Sequence, residues 1–191
     1  MAERSCGSAT AIRVFDDERI ICGQATCALE FMEQTQDAPL DTLLVPVGGG
    51  GLLAGTLIAA QMTAQSPVPR VIGVEPALGD DTGRSVRQGK RLPSSNAATM
   101  ADGLRAGPGE LNFDLIRERV DDMLCVSEAQ IVAAMRLVWT RCKLIIEPSS
   151  AVPVAALLYS SDHTLRSGRV GIILSGGNVD LDALPWSQGR L

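Results

Sequence analysis

Short aliphatic runs alternate along the chain with longer stretches whose apolar residues recur at helical spacing. The aliphatic runs have the length of buried strands and lie at 43–47, 70–75, 122–126 and 170–174. The amphipathic or apolar stretches predict helices near 24–34, 52–64, 82–89, 112–119 and 128–142, with a shorter helix ending at about 159. Strands that alternate with helices are typical of parallel sheets. We therefore predict an α/β fold with a doubly wound, mostly parallel sheet of about four to five strands and helices on both faces.

Four consecutive glycines, Gly48, Gly49, Gly50 and Gly51, connect the first predicted strand to an apolar helix. A backbone without Cβ atoms can take positive φ and approach a ligand closely. Its N–H groups would join those of the helix N-terminus, where the macrodipole favours an anion. The loop therefore predicts a phosphate site. A plain glycine-rich turn is the weaker alternative, because four glycines in a row carry a large entropic cost.

The residues after the loop separate the phosphate ligands that it could hold. A nucleotide-triphosphate loop needs a lysine after its last glycine, but Thr56 follows Gly55, so this class is excluded. Residues 49–54 fit the dinucleotide pattern G-x-G-x-x-A, and Glu75 ends the next strand, as the acid of that pattern does. An NAD-binding Rossmann domain therefore remains an alternative.

Composition narrows the class of protein. The chain has 191 residues, of which 46% are apolar but only 3% aromatic, so one domain with an aliphatic core is expected. The net charge of -5 argues against nucleic acid or an anionic membrane surface as a partner, and no apolar run has the length of a membrane span. Five scattered cysteines and a single histidine disfavour a zinc site or a hydrolytic triad, and they indicate a reduced, cytoplasmic protein.

Residues 1–20 lack a clear period of apolar positions. We therefore interpret them as an N-terminal arm or the remnant of a missing small domain, with the α/β domain at 21–191.

Polar or glycine-rich segments follow the end of each predicted strand. They are Gly48–Gly51, Glu75 with Asp80 and Asp81, Ser127, and Ser175–Asn178. In doubly wound sheets, ligands bind outside the carboxyl ends of the strands. We expect these segments to share one edge of the sheet.

Six segments occur in an order that resembles the fold-type-II pyridoxal-phosphate enzymes, in particular the serine racemase and threonine (serine) dehydratase branch. They are GQATCALE, PVGGGGLLAG, GVEPALGDD, ADGL, KLIIEPSSAV and LSGGNVDL, and the similarity runs over about residues 14–184. The resemblance implies the C-terminal part of such an enzyme, with the large domain of a tryptophan-synthase-β-like fold. It implies that Gly48–Gly51 hold the phosphate of pyridoxal 5′-phosphate, that Ser175 bonds the pyridine nitrogen and that Gly103 lies near the ring. A neutral serine is a poor acid and cannot keep the pyridine nitrogen protonated. The cofactor is then a weak electron sink, which suits β-elimination or racemisation of hydroxy amino acids.

The same resemblance implies two further sites. GVEPALGDD is similar to the divalent-cation site of this branch, in which Glu75, Asp81 and the carbonyl of Gly79 would bind Mg²⁺ or Ca²⁺. The alternative is an acidic turn that caps the next helix through Asp80 or Asp81. Asn178 matches a position at the nucleotide effector site of the racemase-like members.

The lysine that forms the Schiff base in these enzymes precedes GQATCALE and has no counterpart here. The two lysines present, Lys90 and Lys143, lie in a polar turn and at a helix end, and neither follows a serine at a helix start. We therefore predict no catalytic residue in this chain, and activity on serine or threonine only when an N-terminal domain completes it. A non-catalytic phosphate-binding or interaction module is the alternative. Apolar Leu52, Leu53 and Val152 near the loop predict an exposed patch and a homo-oligomer, most simply a dimer.

Overall fold

The structure is a computed structural model that describes residues 14–63, 66–95 and 97–187. The described residues form four strands, β1 (Thr42–Pro46), β2 (Arg70–Pro76), β3 (Asp122–Val126) and β4 (Val170–Ile172). The helices are α1 (Glu18–Gln34), α2 (Gly51–Met62), α3 (Asp81–Gln88), α4 (Glu110–Arg119), α5 (Glu128–Leu137) and α6 (Pro148–Tyr159). Most of the predicted N-terminal arm, residues 1–13, lies outside the described part of the chain.

The sheet is parallel and runs in the order β3-β2-β1-β4. Strand β1 pairs with β2 from Thr42↔Arg70 onward and with β4 from Thr42↔Val170 onward. The chain steps from β1 to β2 and then to β3, and it returns across the sheet to place β4 on the other side of β1. The connections therefore diverge between β1 and β4, and this is the switch point at which doubly wound sheets bind ligands.

Alternate residues of the central strands are buried on opposite faces of the sheet. Leu43, Val45 and Val71 pack with α1, α2 and α4, whereas Leu44 and Ile72 pack with α5 and α6. Strands covered on both faces lose the polar alternation of one-sided sheets, which is why these runs read as continuously apolar. The predicted α/β sheet with helices on both faces is confirmed.

Helix α1 is longer than the predicted helix at 24–34. It begins at Glu18, because the carboxylate of Asp17 accepts a hydrogen bond from the N–H of Arg19 at 3.0 Å and caps the first turn. Ile21 is 2% exposed, so this first turn is part of the packed domain. None of the described helices has the length and apolarity needed to cross a bilayer.

The capping box predicted at Ser127 is present at the start of α5. The N–H of Gln130 donates to Ser127 Oγ at 3.4 Å, and the N–H of Ser127 donates to Gln130 Oε1 at 2.8 Å. The α-helical part ends at Leu137, earlier than predicted, and one π-helical turn continues it to Cys142.

The apolar patch expected from Leu52, Leu53 and Val152 is not formed by these residues. Leu53 and Val152 are 0% exposed, because they belong to the cores on the two faces of the sheet, and only Leu52 is partly accessible. The apolar character of these positions reflects core packing.

Candidate functional site

A cavity of about 270 Å³ opens at the switch point between β1 and β4. Its lining combines the glycine loop with residues from four other segments of the chain: Val14, Phe15, Ile20, Gln24, Pro46, Gly48–Gly51, Leu52, Gly103, Leu104 and Ser175. The structure therefore brings together all the residues predicted to hold the cofactor. The parallel sheet explains this convergence, since Gly48 and Ser175 follow the carboxyl ends of neighbouring strands.

The N–H groups of the glycine loop lie beside this cavity and have no hydrogen-bond partner in the part of the chain that the structure describes. Gly50 has a φ of 90°, which lets the loop turn directly into α2. No described residue accepts a hydrogen bond from the N–H groups of residues 48–52. A helix N-terminus with free donors is suited to an anion, and a phosphate group would satisfy donors that otherwise need water.

The glycines are also required by the protein around them. A Cβ on Gly48 would lie 2.9 Å from Leu104 Cα, and one on Gly50 would lie 2.9 Å from Ile116 Cδ1. A Cβ on Gly49 would overlap the ring of Phe15. The loop is therefore enclosed on its protein side by the segment before α1, the turn at 102–104 and helix α4.

Asn112 holds this enclosure together, and the sequence analysis did not identify it. Its side chain is 0% exposed, and Nδ2 donates to the carbonyl oxygens of Phe15 and Gly49, each at 2.8 Å. The N–H of Gly109 donates to the same Gly49 oxygen at 3.1 Å. These bonds fix the loop carbonyl on the side of α4. Asn112 lies 63 residues from Gly49, so no local pattern could reveal the pair.

The predicted acidic turn lies at the end of β2. Glu75 is 1% exposed, and its carboxylate accepts hydrogen bonds from the N–H of Thr82 at 2.9 Å and of Gly83 at 2.7 Å. Helix α3 is thus capped by Glu75, whereas the side chain of Asp80 at the N-cap makes no capping bond. The cap expected from Asp80 or Asp81 therefore comes from the preceding strand. Burial raises the pKa of Glu75 to about 7 despite these bonds.

Asp81 and Gly79 lie in the same turn as Glu75. Asp81 is 2% exposed, pairs with Arg84, and accepts hydrogen bonds from the N–H and Oγ of Ser95 at 2.9 and 3.1 Å. Within the described ranges, no group of three or more histidine, cysteine, aspartate or glutamate residues could hold a metal ion. The predicted set has only two carboxylates and would depend on a backbone carbonyl for its third ligand.

Comparison with known proteins identifies the family. Residues 2–176 match the family described as "Pyridoxal-phosphate dependent enzyme". This chain belongs to that family. The resemblance seen in the six sequence segments is thereby confirmed.

Relatives of this pyridoxal-phosphate family member include racemases and dehydratases. The serine racemase of Dictyostelium discoideum is 45% identical over 181 residues, which are 93% of this chain and 54% of that protein. The β-hydroxyaspartate dehydratase of Paracoccus denitrificans is 39% identical over 176 residues, which are 92% of this chain and 54% of that protein. The structure of maize serine racemase superposes with a TM-score of 0.82 at 38% identity, covering 89% of this chain and 52% of that one. The chain spans about half the length of the curated relatives that it matches.

The dinucleotide alternative does not fit the geometry of this family member. An acid that binds a ribose hydroxyl must present its carboxylate to the ligand. Glu75 is buried at the start of α3, and it does not line the cavity at the glycine loop. The match of residues 49–54 to the dinucleotide pattern reflects the shared need for a tight strand-to-helix turn.

The remaining predicted positions lie away from the cavity lining. The N–H of Asn178 donates to Glu147 Oε2 at 2.9 Å, and its residue is exposed. Both lysines are exposed, and Lys143 Nζ donates to the carbonyl of Thr140 at 2.7 Å. Neither lysine lines the cavity.

Glu75 makes the stability of the metal-free chain dependent on pH. Because its pKa rises from 4.5 to about 7 on folding, its contribution to stability is complete below pH 4.5 and is lost as the pH rises through 7. In buffer with EDTA, the free energy of unfolding of wild type relative to Glu75→Gln should fall by about 2 to 3 kcal/mol between pH 5 and pH 8. Urea unfolding at several pH values measures this. Parallel pH profiles of the two proteins would contradict it.

Proposed function

We propose that this chain is the cofactor-holding part of a pyridoxal-phosphate-dependent enzyme. The enzyme catalyses β-elimination or racemisation of hydroxy amino acids such as serine and threonine. One observation carries the proposal: Ser175 and a glycine loop whose N–H groups have no hydrogen-bond partner among the described residues line one cavity at the switch point. The relatives' names, a serine racemase and a β-hydroxyaspartate dehydratase, support this reaction and substrate class.

Each part of the cavity has a role in this proposal. The N–H groups of residues 48–52 bind the phosphate of pyridoxal 5′-phosphate, and Ser175 forms a hydrogen bond with the ring nitrogen. Gly103 lies beside the ring in this proposal, and the protein behind it also requires a glycine, since an added Cβ would lie 3.0 Å from Ser149 Oγ. When bound, the cofactor supplies an electron sink for the substrate α-carbon. This chain binds and orients the cofactor.

The proton at the substrate α-carbon is handled, in this proposal, by a lysine that this chain does not supply. The chain's own lysines are exposed and away from the cavity, so the chain alone is expected to be inactive. The same observation favours a second candidate, a non-catalytic module that binds pyridoxal phosphate or a related phosphate ligand.

Titration with pyridoxal phosphate, followed by borohydride reduction and peptide mass spectrometry, tests the proposed function. We expect one ligand per chain and no pyridoxyl group on Lys90 or Lys143. Ser175→Ala should weaken binding of pyridoxal phosphate but leave binding of inorganic phosphate unchanged, because only the ring reaches that side chain. Stoichiometric labelling of either lysine, or equal affinities of wild type and Ser175→Ala for pyridoxal phosphate, would overturn the proposal.

We further propose that Glu75, Asp81 and the carbonyl of Gly79 bind Mg²⁺ or Ca²⁺. Hard carboxylate and carbonyl oxygens suit these ions. Each of the two Glu75 carboxylate oxygens accepts one backbone hydrogen bond and has a further lone pair for a metal ion. Among the described residues, no cation pairs with the buried Glu75 carboxylate within 4.0 Å, so a metal ion would supply the missing charge.

Mg²⁺ should stabilise the native chain if this site exists. At about 100 times its dissociation constant, an ion that binds only the native state raises the free energy of unfolding by about 2.7 kcal/mol. Melting curves with Mg²⁺ and with EDTA should show this gain in wild type and in Asp80→Asn, the matched control. Asp81→Asn should lose it. Equal gains in all three proteins would exclude Asp81 as a ligand.

Other assignments stay proposals. A cytoplasmic location is supported by the described cysteines, Cys22, Cys27, Cys125 and Cys142, which are all unpaired.

A homo-oligomer, most simply a dimer, is supported by exposed Leu144 and Ile145, which are 50% and 60% accessible. The net charge of -5 supports neither nucleic acid nor membrane as a partner. An effector role for Asn178 stays a prediction.

A further inference from the structure

The acidic turn after β2 is followed by an arginine that binds two of its carboxylates. Arg84 lies in the first half of α3, where its Nη2 donates to Asp81 Oδ1 and its Nε donates to Asp80 Oδ1 at 2.8 Å. The side chain of Asp81 is 3% exposed, whereas that of Arg84 is 40% exposed. A half-exposed guanidinium therefore neutralises a buried carboxylate.

The two oxygens of the Asp81 carboxylate differ in what they can still bind. Each carboxylate oxygen has about two lone pairs. Oδ2 accepts the N–H of Ser95 at 2.9 Å and its Oγ–H at 3.1 Å, so both of its lone pairs are used. Among the described residues, only Arg84 donates to Oδ1. Oδ1 is therefore the oxygen that a metal ion would use, and Arg84 is the group that the ion would meet there.

The same turn contains a buried hydroxyl that lacks a partner. Thr82 is 0% exposed, and its Oγ1 has no hydrogen-bond partner in the described part of the chain. Buried polar side chains are rarely left in this state. Because Mg²⁺ usually keeps several of its waters, a hydrated ion in the turn would offer this hydroxyl a partner. The surroundings of Asp81 thus fit a hydrated divalent cation.

We propose that Arg84 competes with the divalent cation for Asp81 and thereby sets the affinity of the site for the ion. This inference rests on the proposed metal site at Glu75, Gly79 and Asp81. Two cations on one carboxylate oxygen repel each other, so an ion that takes Oδ1 displaces the guanidinium. Without the ion, the arginine pairs with a buried carboxylate whose charge would otherwise be costly. Arg84 therefore lets the turn fold without the ion and take it up afterwards.

This exchange predicts opposite changes in stability and in ion affinity when Arg84 is replaced. Arg84→Met keeps a long side chain of similar helix propensity but removes the charge and its donors. In buffer with EDTA, the variant should melt at a lower temperature than wild type, because Asp81 has lost its cation. Its dissociation constant for Mg²⁺ should fall about three- to tenfold, because the ion no longer displaces an ion pair. A merely structural role would lower the melting temperature without tightening ion binding.

Calorimetric titration with MgCl₂ and with CaCl₂ measures the affinity, and melting curves in EDTA measure the stability. Arg87→Met is the matched control, since Arg87 also lies on α3 and pairs with Asp80 at 3.4 Å but not with Asp81. It removes the same charge and should change the dissociation constant for Mg²⁺ by less than about twofold. When Asp81 is already asparagine, Arg84→Met should no longer tighten ion binding, because the two residues act as one unit.

The possible results distinguish this inference from the metal site itself. If wild type binds Mg²⁺ and Arg84→Met binds it equally or more weakly, the inference fails and the metal site stands. If Arg84→Met tightens binding as much in the Asp81→Asn background, the effect is general electrostatics and the inference also fails. If neither wild type nor Arg84→Met binds Mg²⁺ or Ca²⁺, both fail. Binding by Arg84→Met alone would support the inference, since the guanidinium would then exclude the ion from wild type.

Discussion

Gly50→Ala is expected to weaken binding of pyridoxal phosphate and inorganic phosphate by at least about tenfold and to destabilise the chain by about 2 to 5 kcal/mol. Two effects add. The residue has a φ of 90°, which an alanine adopts only with strain, and its Cβ would lie 2.9 Å from Ile116 Cδ1 and 3.1 Å from Asn112 Cβ. Relief of either effect moves the loop, and the N–H groups of residues 48–52 then no longer converge on one anion.

Gly89→Ala is the matched control for this change. Gly89 has a φ of 67° at the end of α3, but an added Cβ would meet nothing within 4 Å. Its substitution should cost about 1 to 2 kcal/mol from backbone strain alone and leave phosphate binding intact. Urea unfolding measures stability, and titration with each ligand measures binding. Wild-type affinity in a folded Gly50→Ala chain would show that the phosphate binds elsewhere.

Turnover should arise when this chain is combined with the part of a relative that supplies the missing lysine. The chain holds the proposed phosphate cradle and Ser175 but no lysine at the cavity. Co-expression with the part of the Dictyostelium serine racemase that lies outside the match should give ammonia release or D-serine formation from L-serine, above the background of either piece alone. Both assays read the product directly.

Two variants of the combined pieces serve as controls. Replacing the supplied lysine by alanine should abolish the product, and Gly50→Ala in this chain should reduce it together with cofactor binding. Co-elution of the two pieces in gel filtration establishes that they assemble. A co-eluting complex without product, or turnover by this chain alone, would contradict the proposal that this chain holds the cofactor and the other piece supplies the lysine.

The fold was predictable because its signals are local. Aliphatic runs mark the four strands, the four glycines mark the strand-to-helix turn, and Ser127 with Gln130 mark the start of α5. The boundaries that moved depend on single capping bonds or on packing. Helix α1 starts early because Asp17 caps it, and α5 gives way to a π-helical turn that no spacing rule indicates.

The sequence predicts the residues that line the candidate site but not the residues that hold them in place. Gly48–Gly51, Gly103 and Ser175 lie in segments that resemble the family, whereas Asn112 acts through a partner far away in sequence. The sequence also gives only part of the reason why glycines occupy this loop. Approach of a ligand was inferred, but the protein packed against the loop requires the same absence of Cβ atoms. In the same way, the cap of α3 comes from Glu75, because burial at the end of β2 directs its carboxylate at the N–H groups of the helix.

A crystal structure of this chain with pyridoxal phosphate tests the central claim most directly. The account predicts the phosphate within hydrogen-bond distance of the N–H groups of residues 48–52, and the ring nitrogen within hydrogen-bond distance of Ser175 Oγ. It also predicts no covalent bond between the cofactor and either lysine. A cofactor bound covalently to Lys90 or Lys143, or placed outside the cavity between β1 and β4, would contradict it.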